Sequence, residues 1–190
     1  MRVIAGKYRG RNLKSPTSIQ VRPTSDRLRE TLFNVIAPRT QEARFLDLCA
    51  GSGAIGIEAL SRDAAHVTFV DRSRKMCALI KANLDLCCVA EKASKIVQSE
   101  AGDFLAVSVK RNHEPWDIVF FDPPYADDYQ QVLELFGLQS ENLLAEGGLL
   151  IVEHDKRKLL PDQVGVLHRT RILKQGDSAL SFYGRSEPAE

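Results

Sequence analysis

Long apolar runs are missing from this sequence. No stretch approaches the roughly 20 residues that a membrane-spanning helix requires, and the first residues carry no apolar core of the kind that marks an export signal. Cysteine is scarce: Cys49, Cys77, Cys87 and Cys88 are the only four in 190 residues. They form no Cys-x-x-Cys pairs, and His66, His113, His154 and His168 are too scattered to complete a zinc set. The thiols are therefore expected to be buried and reduced, the histidines solvated or hydrogen-bonded, and the chain cytoplasmic with no metal. A strong charge of either sign is also absent. The formal net charge is +1, so the whole-chain balance argues for no particular partner. Internal repeats and low-complexity segments are lacking as well, and the length suits one domain with a sizeable core.

Charge is nonetheless uneven along the chain. Between Arg2 and Arg29 lie Lys7, Arg9, Arg11, Lys14, Arg22 and Arg27, with Asp26 as the only acid among them. Such an excess can meet a phosphate backbone or form a solvated edge. Residues 2–14 read as a short β-hairpin, with Val3 and Ile4 on one arm, Leu13 on the other, and Gly6 and Gly10 between. A helix follows from Pro23-Thr24-Ser25-Asp26, capped by Thr24 or Ser25. Leu28, Leu32, Val35 and Ile36 form its apolar face, and Pro38 is expected to end it.

Alternating strand and helix patterns fill the middle of the chain. Strands are expected at 44–49, 66–70, 95–98, 117–121 and 148–153, with helices at 54–62, 74–86, 104–109 and 129–138. This alternation implies a parallel sheet covered on both faces. The tail differs: strands at 167–173 and 179–183 flank the Gly176-Asp177 turn as a hairpin. The expected architecture is α/β, a mostly parallel seven-stranded sheet closed by an antiparallel C-terminal hairpin. The single domain divides into a basic extension (1–22), a leading helix (23–38) and a core (43–185).

Asp47-Leu48-Cys49-Ala50-Gly51-Ser52-Gly53-Ala54-Ile55-Gly56 joins the first of these strands to its helix. Glycines there allow close backbone approach to a ligand, and the helix amino end faces it. The Gly-x-Gly-x-x-Gly spacing also fits dinucleotide binding, but Asp47 directly ahead favours a cationic ligand over a pyrophosphate. A second motif, Asp122-Pro123-Pro124-Tyr125, follows the apolar run ending at Phe121. Together the two motifs resemble the class I S-adenosylmethionine-dependent methyltransferases, Rossmann-like enzymes, in the branch that methylates exocyclic amines.

That resemblance implies the site. Asp47 would hold the methionine ammonium, with Ala50, Gly51, Ser52 and Gly53 forming the cofactor loop. Asp71, twenty residues beyond Gly51, would accept from a ribose diol, beside Arg72. Asp103 would accept from the adenine amine, with Phe104 near the ring. Asp122 and the Pro123 carbonyl would hold the amine N–H bonds, Pro124 would stiffen the turn, and Tyr125 would stack on the base.

The stretch Arg22-Pro23-Thr24-Ser25-Asp26-Arg27-Leu28-Arg29-Glu30-Thr31-Leu32-Phe33-Asn34 and the run Gly56-Ile57-Glu58-Ala59-Leu60-Ser61-Arg62 narrow this further. With the basic hairpin and both motifs, they resemble the RsmD-type 16S ribosomal RNA guanine-N2 methyltransferases over nearly the whole chain. The resemblance implies methylation of one guanine in 16S rRNA within a small-subunit particle; the short hairpin offers no clear apolar patch, so a monomer is expected. Lys7, Arg9, Arg11, Lys14, Arg22, Arg27 and Arg29 would grip RNA phosphates. Cys49 departs from the bulky residue expected there. An adenine-N6 methyltransferase acting on DNA or RNA stays open as the alternative, because the same four-residue motif serves both bases. A NAD-dependent oxidoreductase, a non-catalytic RNA-binding assembly factor and a protein glutamine methyltransferase fit the motifs less well.

Overall fold

The computed structural model describes residues 1–16, 26–124 and 129–185. In chain order the elements are α1 (Asp26–Thr40), β1 (Arg44–Leu48), α2 (Ala54–Ser61), β2 (His66–Asp71), α3 (Arg74–Leu86), β3 (Ser94–Gln98), α4 (Ala101–Lys110) and β4 (Trp116–Phe121). They continue with α5 (Tyr129–Leu138), α6 (Ser140–Leu143), β5 (Leu144–Asp155), β6 (Gln163–Val164), β7 (Leu167–Gln175) and β8 (Ser178–Arg185). No helix among the described residues is long and apolar enough to cross a membrane.

All eight strands join one sheet in the order β3-β2-β1-β4-β5-β8-β7-β6. The first five run parallel, and β8, β7 and β6 close the sheet antiparallel. Strand alternation sorts the side chains into two cores. Phe45, Phe69, Phe120 and Ile151 pack with Leu32, Phe33 and Ile57, on the side carrying α1, α2 and α3. Leu46, Leu48, Val119 and Phe121 pack with Leu105, Val132 and Phe136, on the side carrying α4, α5 and α6. Burial on both faces is why these strands read as unbroken apolar runs. From β1 the chain proceeds outward to β2 and β3, then returns to place β4 on the other flank of β1. The switch in direction opens a crevice at the carboxyl ends of β1 and β4, where ligands of such sheets bind.

Several expectations need correction. Among the described residues the sheet has eight strands rather than seven, because the two-residue β6 pairs with β7 through Gln163↔His168 and Val164↔Leu167; a strand so short leaves no periodicity to read. Pro38 lies inside α1, which continues to Thr40, where the Thr40 Oγ1 donates to the Ile36 carbonyl at 3.0 Å. Proline loses its own N–H donor and crowds the carbonyl four residues back, but this close to the helix end the chain still completes a further half-turn. Helix α4 begins at Ala101, three residues early, and β5 spans twelve residues because a register shift opposite Trp116 absorbs Gly147, at φ +67°.

The amino-terminal hairpin is minimal: one antiparallel bridge, Arg2↔Asn12, with the Val3 N–H donating to the Arg11 carbonyl at 3.0 Å. It is held mainly by the body of the protein. Glu58, fully buried on α2, accepts the backbone N–H groups of Ile4 at 2.8 Å and Ala5 at 3.0 Å. The Ser61 hydroxyl accepts from the Tyr8 N–H at 2.9 Å. Gly6 sits so close that a Cβ there would fall 1.8 Å from the Ser61 carbonyl oxygen.

Candidate active site at the carboxyl edge of the sheet

Between β1 and α2 the backbone enters the left-handed region at Cys49 (φ +61°), Gly51 (φ +55°) and Gly53 (φ +77°). A Cβ at Gly51 would meet nothing within 4 Å, so torsion demands glycine there and open space remains above the loop. Gly56 serves packing instead, since a Cβ would come 2.3 Å from the Phe69 ring. The loop is anchored from three sides. The Gly56 N–H donates to Asp47 Oδ2 at 2.9 Å, and the Gly51 N–H donates to Asp71 Oδ2 at 2.9 Å. The amide of Asn83 on α3 donates to the Ser52 carbonyl at 2.9 Å.

The acids differ in how they are placed. Asp47 lies within β1 and is buried; burial outweighs the Gly56 hydrogen bond and, with Asp71 nearby, pushes its carboxyl up to about 8. Asp71 ends β2, and its other oxygen accepts the Ser73 N–H at 2.8 Å. The cap of α3 is Ser73, whose hydroxyl accepts from the Met76 N–H at 3.4 Å. Arg72 is exposed, 3.9 Å from Glu100. Asp122 follows β4 directly, and its N–H donates to the Leu48 carbonyl at 3.3 Å, extending the β1–β4 pairing by a step. Its carboxyl is pushed well above the usual range by burial first, then by the Glu153 and Asp47 carboxylates. Pro123 is buried and Pro124 exposed; Tyr125 lies outside the described residues.

Asp47, Asp71 and Asp122 thus line one edge. Asp103 does not share their strand-end register: it lies in the first turn of α4, exposed. Phe104 is half-buried, its ring 5.7 Å from that of Trp116 in the second core. Two residues here escaped the sequence reading. Glu153 lies on β5 one position past the last β4–β5 pair, Phe121↔Val152, and is 4% exposed. It ends the apolar run Leu149-Leu150-Ile151-Val152 as Asp122 ends its own, a signal that was available. Asn83, fully buried, carried no signal in a helix pattern.

The basic residues separate. Arg29 is fully buried: its guanidinium donates to the Arg2 carbonyl and to Asp26 Oδ1 at 3.0 Å, with its Nε 3.8 Å from Glu58. It cannot grip phosphates, because it shares the core-facing side of α1 with Leu28, Leu32 and Phe33. Lys7, Arg9, Arg11, Lys14 and Arg27 are exposed. Lys7 lies 3.7 Å from Asp63, and Arg11 donates to the Leu86 carbonyl at 2.6 Å. Arg2, Arg9 and Arg27 line a cleft of about 470 Å³ between hairpin and α1, with Asp26 and Glu30 on its wall. Arg22 lies outside the described residues. All four cysteines are free thiols; Cys87 is buried as expected, but Cys88 is exposed at the end of α3, where the backbone turns left-handed at φ +53°. Among the described residues no group of His, Cys, Asp and Glu could hold a metal ion.

A mostly parallel sheet with an antiparallel closing hairpin, a glycine loop at the switch point and the Asp122-Pro123-Pro124 segment beside it define a Rossmann-like, class I methyltransferase fold. The chain belongs to the family described as conserved hypothetical protein 95, whose model matches residues 1–184. It is 37% identical to the ribosomal RNA small subunit methyltransferase D of Escherichia coli K12, covering 100% of this chain and 92% of that one. The Haemophilus influenzae protein of the same name is 41% identical over 84% of this chain and 81% of its own. Among solved structures, Escherichia coli yhhF superimposes with a TM-score of 0.83 at 36% identity, covering 97% of both chains. A hypothetical protein of Thermus thermophilus does so with a TM-score of 0.80 at 30% identity, covering 96% of this chain and 98% of that one.

Proposed function

We propose that this chain transfers a methyl group from S-adenosylmethionine to the exocyclic N2 of a guanine in small-subunit ribosomal RNA, in the cytoplasm. The carrying observation is the pairing of Asp122 and Pro123 beside the glycine loop, joined by the Asp122 N–H to the Leu48 carbonyl. The ribosomal RNA methyltransferases among its relatives support the choice of substrate.

The loop suits the cofactor. Asp47 offers a desolvated carboxylate to an ammonium, and the open space over Gly51 admits a bulky ligand against the backbone. Asp71, already accepting two N–H groups, is rigid and retains acceptor capacity for a ribose diol. Bound there, S-adenosylmethionine supplies an electrophilic methyl on a positively charged sulfur.

A guanine N2 is a poor nucleophile because its lone pair is delocalised into the ring. The Asp122 carboxylate and the Pro123 carbonyl accept its two N–H bonds and turn the lone pair towards the methyl. Much of the acceleration is this orientation, and the carboxylate stabilises the charge that develops on nitrogen. The sulfonium would give up its methyl as the carbon–nitrogen bond forms, and Asp122 would take the excess proton from the nitrogen and pass it to solvent. Asp122 accepts in its ionised form; burial and the Glu153 and Asp47 carboxylates oppose that form, and the positive sulfur that the cofactor would bring would favour it.

Methyl transfer from labelled cofactor to small-subunit particles from cells lacking the enzyme, compared with bare RNA and read by nucleoside mass spectrometry, tests the proposal. N2-methylguanosine that disappears with Asp122→Ala is expected. N6-methyladenosine instead would overturn the choice of base and keep the chemistry.

A further inference from the structure

The four-residue Asp122 motif holds an amine without saying which base carries it. We propose that Glu153 selects guanine by accepting the hydrogen bond of its N1–H; this rests on the function proposed above and goes beyond it by naming the residue that reads the base.

The geometry starts from register. Strands β4 and β5 run parallel with Phe120↔Ile151 and Phe121↔Val152 in pair. The next residues, Asp122 and Glu153, therefore lie side by side, Asp122 just past the end of β4 and Glu153 still within β5. Side chains alternate across a strand, so both follow Phe120 and Ile151 onto the face carrying α1, α2 and the glycine loop. Their carboxylates are close enough that Glu153 is the leading charged influence raising Asp122. On its other side Glu153 pairs with Leu180 of β8, inside the sheet, which fixes its backbone. Asp122 is half-buried whereas Glu153 is 4% exposed, so the pair runs inward from the crevice.

A base whose amine rests on Asp122 presents the next atom of its Watson–Crick edge to that inner carboxylate. In guanine the atom beside the N2 amine is N1–H, a donor. In adenine both ring positions flanking the N6 amine are acceptors or bare carbon, and N1 carries a lone pair. A carboxylate beside Asp122 thus bonds guanine and repels adenine. Glu153 is withdrawn from water, so a base without N1–H sets a ring lone pair against a poorly screened carboxylate. Sites built around such a bond reject the analogue that lacks the donor by orders of magnitude.

2-Aminopurine separates the two roles, since it keeps the exocyclic 2-amine but has an unprotonated N1. Once the modified nucleotide is mapped, ligated 16S RNA carrying guanine or 2-aminopurine there is assembled into particles, and kcat/KM is compared. The wild-type protein is expected to favour guanine by about 100-fold or more. In Glu153→Gln the amide can turn a donor towards N1, so the ratio is expected to fall at least roughly tenfold, with binding of S-adenosylhomocysteine and Tm retained. Should Gln fail to fold, Glu153→Asp, which withdraws the carboxylate by one methylene, is expected to lower the ratio in the same direction. An unchanged ratio in the folded variant, or a wild-type protein indifferent to 2-aminopurine, would overturn the assignment to Glu153 while guanine methylation stands. Absence of N2-methylguanosine with the wild-type protein would instead overturn the function on which it rests.

Discussion

Asp47 and Gly56, nine residues apart, are joined by a hydrogen bond from the Gly56 backbone N–H to Asp47 Oδ2 at 2.9 Å. One side chain therefore fixes both the end of β1 and the first turn of α2, between which the cofactor loop is strung. That buried carboxyl is pushed up to about 8, chiefly by burial, and so carries a proton at neutral pH. Arrival of an ammonium beside it should expel the proton. Titration of S-adenosylhomocysteine at pH 7 in buffers of different ionisation enthalpy is expected to show release of about one proton from the wild-type protein, and none from Asp47→Asn.

The same shift sets a stability trend. A carboxyl whose folded pKa lies above its unfolded value of about 3.9 holds a proton in the folded state that the unfolded chain has lost. Its contribution is full below pH 4 and fades as pH rises through about 8. The ligand-free wild-type protein should therefore lose stability relative to Asp47→Asn between pH 5 and pH 9. Melting curves of the two proteins at both pH values check this, and a constant gap would refute it.

Asp71 ties the loop to β2 by accepting the N–H groups of Gly51 and Ser73. Both partners are donors, so an amide cannot replace the carboxylate without turning its NH2 towards one of them. Asp71→Ala and Asp71→Asn are both expected to weaken S-adenosylhomocysteine binding, by about 1.5–3 kcal/mol or roughly 10–100-fold. Calorimetric titration measures the loss. Retention of affinity by the Asn variant would mean that the second oxygen is idle.

Glu58 is the joint between the hairpin and the body. Fully buried, it accepts from Ile4, Ala5 and the Nε of Arg62 at 2.9 Å, and it faces the buried Arg29. Glu58→Ala leaves the Arg29 charge without its buried counter-ion, a change that typically costs about 3–5 kcal/mol. Urea denaturation should show a loss of about that size. Hydrogen exchange at the Ile4 and Ala5 amides should accelerate even where the sheet stays protected, because the hairpin has a single bridge of its own.

Local pattern carried most of the sheet. The apolar runs of β1, β2 and β4 and the glycine turn at Gly176 could be read because each is decided within a few residues. Acids at strand ends pointed to the edge for the same reason. What could not be read depends on contacts far apart in sequence. Arg29 looks like a solvated base beside Arg27, and only the packing of α1 against the hairpin and α2 turns it inward. Asp103 falls ahead of the helix expected at 104–109 because the start of α4 at Ala101 has no side-chain cap to mark it. The two-residue β6 exists only through its pairing with β7.

Asn83 makes the last of these distant links, and it joins two functions. Its Oδ1 accepts the Lys14 N–H at 2.8 Å, while its Nδ2 donates to the Lys14 carbonyl at 3.1 Å and to the Ser52 carbonyl at 2.9 Å. The basic segment and the glycine loop are therefore held by one buried amide. Asn83→Asp keeps the acceptor but sets a carboxylate against two carbonyl oxygens, whereas Asn83→Ala removes every bond and leaves three backbone groups without that partner. Aspartate should therefore be the worse of the two for cofactor binding, although it is the closer in shape. Titration with S-adenosylhomocysteine ranks the variants. Alanine as the worse would mean that the Lys14 N–H, and not the Ser52 carbonyl, is the contact that matters.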